Sequence, residues 1–205
     1  MNNFKQLIYY MIGRVPADLN EHELRGKTLL HISDTPSSFF GELKRLISIL
    51  KPNYIVHTGD LVDNIKLELY PGSLWRYERD VRQLVKLMEQ SGAEGIYLAL
   101  GNHDDISALQ ALCTRCHIIP NSEILNIEGK EIAVSHYPAE IHKHPAPYNL
   151  FGHDLAIKSG ETDGKIYLNG ITSINLIELE TMNYRCYPYP AGTDDNRVGR
   201  GKIGL

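Results

Sequence analysis

Cysteine is scarce in this chain, with three residues in 205. Three thiols cannot all pair with one another, and their scarcity fits a reducing cytoplasm. Long apolar runs are missing too. No stretch is long enough to span a bilayer. The opening MNNFKQLIYYMIGR carries a short apolar patch behind Lys5. It lacks the longer apolar core and small-residue cleavage site of a signal peptide, so none is expected. Nor is there a surplus of positive charge. Lys and Arg number 21 against 25 Asp and Glu, a net charge of −4, which leaves no electrostatic footprint for duplex nucleic acid. Arg197, Arg200 and Lys202 stand in a Gly-rich tail and read as a solvated end. These absences predict a cytoplasmic protein with no membrane or duplex partner.

One cysteine pattern invites a false lead. Cys113-Thr-Arg-Cys116-His117 fits the haem-attachment spacing, but that chemistry requires export. The expectation is two half-buried thiols where a helix carrying Ile106, Leu109 and Leu112 runs into a strand from His117 to Ile119.

What is present is an ordinary apolar share of 42%, enough for a real core. Residues Leu7 to Leu24 read as mainly helical and make 1–26 an N-terminal extension of a single domain covering 1–205. Its apolar residues Phe4, Leu7, Ile8, Met11 and Ile12 recur at helical spacing. They are expected to bury on the domain's own outer face, with a second subunit as the alternative. A first strand, KTLLHIS, ends at Asp34. A helix from about Ser38 places Phe39, Phe40, Leu43, Leu46, Ile47 and Leu50 at helical spacing. The strand YIVHT ends at Gly59-Asp60. A helix over about 74–90 sets Leu74, Tyr77, Val81, Leu84, Val85 and Met88 on one face. The strand GIYLAL ends at Gly101-Asn102. Strands then dominate: ILNI, KEIAVSH, YNLFG, KIYLN, SINLIELE and MNYRCYP, separated by turn residues. Alternating strands and helices followed by strands predict an α/β domain with two packed sheets.

Chemistry gathers where strands end. Successive strand ends deliver Asp34, Asp60, Asn102, His136 and His153, with Asp63 and Asn64 close by. Ligands of α/β sheets bind outside the carboxyl ends of the strands. Hard oxygen donors mixed with imidazole suit Mn, Fe or Zn rather than a thiolate site. The glycines before Asp60, Asn102 and His153 let the backbone turn sharply. Taken singly, each residue has a plainer explanation as a helix cap, a turn or a buried histidine. Their joint occurrence, always at a strand end, argues for one site.

The series HISD, HTGDLVDN, LGNHD, SHYP and FGHD resembles the calcineurin-like metallophosphoesterase family over roughly Lys27 to Tyr187. The resemblance implies two mixed β-sheets packed face to face and flanked by helices, a four-layer α/β/β/α sandwich. It implies that Asp60 bridges two metals, that Asn102, His136 and His153 hold one of them, and that Asp34 holds the other. His103 is then the catalytic residue facing the substrate, stabilising phosphoryl oxygens or protonating the leaving group. Asp104 is expected to orient His103, and hydroxide generated at the metal to attack phosphorus in line.

The departures fall on one side. The family pattern D-x-H reads Asp34-Thr35-Pro36 here, and G-H-x-H reads Gly152-His153-Asp154-Leu155. Proline and leucine side chains coordinate nothing. The expectation is one firmly held divalent ion at Asp60, Asn102, His136 and His153, with Mn preferred over Fe or Zn, and a second ion weak or absent. Asp154, His142 and His144 are possible replacements, although both histidines read as solvated loop residues. His31 and His57 read as structural. The function expected is hydrolysis of a small phosphate ester, a diester before a monoester. The alternatives are a catalytically weak binding scaffold and a metal enzyme of another reaction. Residues 66–75 and 139–149 would choose the substrate, with Tyr70, Trp75, Tyr137 and Tyr148 able to stack a ring. Oligomeric state stays open, a monomer included.

Overall fold

The computed structural model describes residues 9, 11–16 and 26–197. The chain alternates at first: β1 (Thr28–Ile32), a single 3-10 turn (Ser37–Phe39), α1 (Phe40–Leu50), β2 (Tyr54–His57), α2 (Leu74–Glu89), β3 (Gly95–Ala99), α3 (Ile106–Leu112) and β4 (Cys116–Ile119). Then come β5 (Ser122–Ile127), β6 (Lys130–Ser135), α4 (Pro138–Lys143), β7 (Tyr148–Phe151), β8 (Gly160–Thr162), β9 (Lys165–Asn169), β10 (Ile174–Glu178), β11 (Tyr184–Tyr187) and α5 (Thr193–Arg197).

These strands build two sheets, one in the order β11-β10-β1-β2-β3-β4 and one in the order β5-β6-β7-β9-β8. Both are mixed. β1 to β4 run parallel, with β10 antiparallel to β1. β6, β7 and β9 run parallel, with β5 and β8 antiparallel at the two edges. The two-residue period of a strand sorts the core into layers. Leu30, Ile32, Ile55, Ile96 and Leu98 pack with Leu43, Leu46, Val81 and Leu84 of α1 and α2. Leu29, Val56, Ala99 and Ile177 pack between the sheets against Ile132, Val134, Leu150 and Leu168. Ala133 and Phe151 meet Ile141 of α4 on the far side. Helices, sheet, sheet and helix are the four layers expected.

Local signals end the elements where expected. Lys51, at φ +42°, stops α1, and the Asp105 carboxylate caps α3 by accepting from the Ala108 amide at 2.8 Å. Cys113 and Cys116 are half-buried between α3 and β4, as anticipated.

Other expectations change. β8 carried no legible signal. Leu74 is 37% exposed and leaves the buried face of α2, on which Asp80 sits instead. His142 belongs to α4 rather than a loop and stacks on Tyr167. The continuous helix expected over Leu7 to Leu24 is broken by a turn at Ile12-Gly13, where Gly13 takes φ +73°. Met11 and Ile12 are exposed at 72% and 60%. Val15 is fully buried in their place, its amide donating to Glu42 and its carbonyl accepting from Arg45. The segment is therefore tied to α1 through Val15. Phe4, Leu7 and Ile8, and the tail residues Arg200 and Lys202, lie outside the described residues. Arg197 is described, and it is not a solvated end: it is 1% exposed.

Candidate metal centre

Five strand ends converge. β1 leads to Asp34, β2 to Asp60, β3 to Asn102, β6 to His136 and β7 to His153. The two sheets meet here directly. The His153 amide donates to Asp34 Oδ2 at 3.2 Å, and His136 Nδ1 donates to the Thr58 carbonyl at 2.7 Å. Ligand atoms of Asp34, Asp60 and His136 all lie within 4.8 Å of one another. His136 Nε2 stands 3.6 Å from Asp60 Oδ2 and 3.1 Å from His153 Nδ1. Tyr137, next in sequence, sets its ring edgewise at 4.8 Å from both imidazoles.

Glycine and ligand share the backbone work: Gly59 takes φ +95°, as expected of the turn before Asp60. Asp34, Asp60 and His153 themselves take left-handed φ values of +50°, +53° and +70°. For non-glycine residues this conformation is costly, and it is held by the surrounding bonds at functional sites. Gly101 serves close approach instead: a Cβ there would lie 2.1 Å from Asp60 Oδ1.

The residues present fit a cation on the side of Asn102, His136 and His153. A carbonyl only accepts, so the Thr58 bond fixes the proton of His136 on Nδ1. That leaves the Nε2 lone pair aimed at the cluster, the outer contact that typically orients a metal-binding imidazole. Asn102 Nδ2 donates to Glu68 at 2.6 Å. Among the described residues, Asn102 Oδ1 is the one buried side-chain polar atom without a hydrogen-bond partner. An orphaned oxygen of this kind needs a partner, and a hard cation supplies one. The Asp60 carboxyl is pushed well above its ordinary range by burial and by Asp104, Asp34 and Asp63, a cluster that a divalent ion would relieve.

Asp34 shares a trio of ligand atoms with Asp60 and His136, and the positions of the two absent family histidines add no ligand to it. Pro36 caps the 3-10 turn and Leu155 is 43% exposed. Asp154 Oδ1 accepts from the Ala156 amide. His142 is stacked on Tyr167, and His144 is exposed. Asp34 Oδ2 accepts from the Ser33 hydroxyl at 2.5 Å. Asp63, which the sequence places near the site without a role, joins Asp60 and His103 in a second trio of ligand atoms within 4.8 Å. Lys66 pairs with Asp63. Arg197 donates to the Asp34 carbonyl at 2.6 Å and the Ser33 carbonyl at 3.3 Å, with its guanidinium 3.8 Å from the Tyr189 ring centre.

His103 and Asp104 part company. The His103 amide donates to Asp60 Oδ1 at 2.9 Å, and its ring is held to about pKa 4, chiefly by burial and then by the Lys66 charge. Asp104 was expected to orient that ring. Its carboxylate accepts instead from the amides of Asp60, Leu61 and Gly101 at 2.7, 2.9 and 2.9 Å, and from the Tyr77 hydroxyl at 2.9 Å. Asp104 ties the β2 and β3 loops together, and no bond to the His103 ring is among its contacts. His31 and His57 are structural as expected: both are fully buried and bonded to Thr58 and Thr35.

The comparisons agree with this fold. Residues 27–196 match the calcineurin-like phosphoesterase family. The chain belongs to that family. Among solved structures, an archaeal phosphodiesterase is similar at TM-score 0.56 and 15% identity, over 78% of this chain and 98% of the other. Yfce, a phosphoesterase from E. coli, is similar at TM-score 0.54 and 13% identity, over 79% and 98%. Vacuolar protein sorting 29 from Cryptosporidium parvum is similar at TM-score 0.49 and 17% identity, over 74% and 84%. At these identities the likeness is one of fold. A comparison with curated protein sequences finds no match. No helix among the described residues is long and apolar enough to cross a membrane.

Proposed function

We propose that this protein is a metal-dependent phosphoesterase that cleaves a small phosphodiester in preference to a monoester, with Mn as its resident ion. The observation that carries the reading is the buried, partnerless Asn102 Oδ1 beside converging Asp60, His136 and His153. Mixed oxygen and imidazole donors favour Mn, with Fe or Zn next. A divalent ion bound there polarises a phosphoryl oxygen and lowers the pKa of water.

The chain's own residues do the rest. Asp60, Asn102, His136 and His153 hold the ion. The neutral His103 ring donates an N–H to a phosphoryl oxygen instead of transferring a proton, in keeping with its depressed pKa. Asp104 keeps the β2 and β3 loops in register. Charge supports the diester. A phosphate monoester carries about −1.5 to −2 at pH 7, and the buried carboxylates Asp34, Asp60 and Asp63 repel that more than the single charge of a diester. The activity named for the archaeal neighbour points the same way.

The test is turnover of bis-p-nitrophenyl phosphate and p-nitrophenyl phosphate by purified protein with added Mn. Diester hydrolysis exceeding monoester hydrolysis is expected. No turnover of either with metal bound would favour a second reading, a binding scaffold, for which Pro36 and Leu155 at the two vacated histidine positions speak.

A further inference from the structure

Three carboxylates sit at the flank that lost its histidines. Asp34, Asp60 and Asp63 are 2%, 3% and 2% exposed. Ligand atoms of Asp34 and Asp60 lie within 4.8 Å of each other, as do those of Asp60 and Asp63, and buried like charges at such range are unfavourable. With no metal ligands from Pro36 and Leu155, something else must carry positive charge there. Lys66 is placed to do so. Its ammonium pairs with Asp63, and its side chain is 23% exposed. An Asp63 oxygen in turn lies within 4.8 Å of both Asp60 and His103 ligand atoms. The backbone of Lys66 is fixed, because its carbonyl accepts from the amides of Leu69 and Tyr70 at 3.0 and 2.8 Å. Arg197 braces the Asp34 loop, but its guanidinium is spent on the carbonyls of Ser33, Asp34 and Ile171.

We infer that Lys66 is a substrate-binding residue that takes the place of the missing second metal, its fixed ammonium meeting a phosphate oxygen opposite the ion held by Asn102, His136 and His153. An ammonium is a compact point charge and a familiar phosphate partner. Asp63 positions it, and the glycine-free stretch Leu61 to Tyr70 supplies the turn that brings it inward. This inference rests on the phosphoesterase reading.

The test counts ions and measures phosphate binding without turnover. Mn is titrated into wild type and Lys66→Met by electron paramagnetic resonance. Inorganic phosphate is then titrated calorimetrically into each protein loaded with one equivalent of Mn. Wild type is expected to hold one Mn firmly. Lys66→Met is expected to keep that ion and to bind phosphate at least about tenfold more weakly, as befits loss of one charge-assisted contact. Lys66→Arg, which keeps the charge, is expected to recover most of the affinity and guards against a folding defect in the Met variant. Two firmly held ions in wild type, or equal phosphate affinity in Lys66→Met, overturns the inference. So does a wild type that holds no Mn. A wild type that binds Mn and phosphate through Lys66 but hydrolyses no ester would sink the phosphoesterase reading while leaving the binding role of Lys66 intact.

Discussion

Asp60 is shared by two flanks: an imidazole-bearing one of Asn102, His136 and His153, and an acidic one of Asp34, Asp63 and Lys66, with Asp34 also within 4.8 Å of His136. The first flank is built for an ion. A carbonyl fixes the His136 tautomer, Glu68 orients the Asn102 amide, and an oxygen is left without a partner. The second flank is built of bonds already made. Asp34 accepts from Ser33, its carbonyl accepts from Arg197, and Asp63 is paired with Lys66. Both flanks share one carboxylate and one fold. The difference lies in outer contacts: on the first flank they leave donor atoms open to a cation, and on the second they occupy Asp34 Oδ2 and Asp63 Oδ1.

The largest blow to the comparison is Asp60→Asn, since Asp60 serves both flanks. It should abolish Mn binding, seen by metal analysis, and lower diester turnover by on the order of 10³-fold, the loss expected when several kcal/mol of metal-derived stabilisation disappears. One equivalent of Mn retained by the variant would place the ion elsewhere. Next is His103→Ala. Loss of one donor to a phosphoryl oxygen should lower kcat by about 10²–10³-fold with Mn content unchanged. Asp104→Asn sharpens this pair. It should cost about 1–3 kcal/mol of stability through amides left without a full acceptor, seen as a lower Tm, and should leave the pH profile of turnover in place. A profile altered as in His103→Ala would return Asp104 to the imidazole.

Gly101→Ala then tests the ion-bearing flank, where the new Cβ would crowd Asp60 Oδ1 and its amide at 2.1 and 2.5 Å. Mn affinity should fall by roughly 10–100-fold. Ser33→Ala removes only the hydroxyl that donates to Asp34, and Mn affinity should change far less. Equal losses in the two variants would mean that the Asp34 flank holds the ion as firmly as the other. The smallest effect concerns pH. Burial lowers His31 to about pKa 3, against an ordinary value near 6.5. Between those values the unfolded chain binds one more proton than the folded one, so this contribution is complete above pH 6.5 and is lost as pH falls. In urea unfolding, wild type should lose about 1.4 kcal/mol per pH unit more than His31→Asn below pH 6.5. Parallel slopes would show that His31 keeps its proton on folding.

The strand-end ligands were legible because strands announce themselves by period and composition, and each ligand follows its strand within three residues. The packing of two sheets followed from the same pattern. The role of Asp104 is not legible from its place beside His103, because neighbours in sequence need not bond in space. In the tight turn after β3, the His103 amide faces Asp60 while the Asp104 carboxylate folds back onto Gly101. The glycine before Asp60 turns sharply, at φ +95°, but Asp34, Asp60 and His153 take left-handed φ values as well, and no residue type marks that in advance. Lys66, six residues past Asp60, lay in a stretch without a readable pattern. Asp63 was visible in GDLVDN, but nothing local tells a ligand from a solvated acid. Arg197 is far from Asp34 in sequence, and only the closed fold brings them together.

That last bond has a consequence for how the protein is made. Asp34 and Arg197 are separated by 163 positions. At about 5–20 residues per second of synthesis, the Asp34 loop waits roughly 10–30 s for its brace to be translated. His136 and His153 also come late in that interval. The nascent chain can therefore lay down β1 to β4 with α1 and α2 while the Asp34 loop still lacks the bond that closes it.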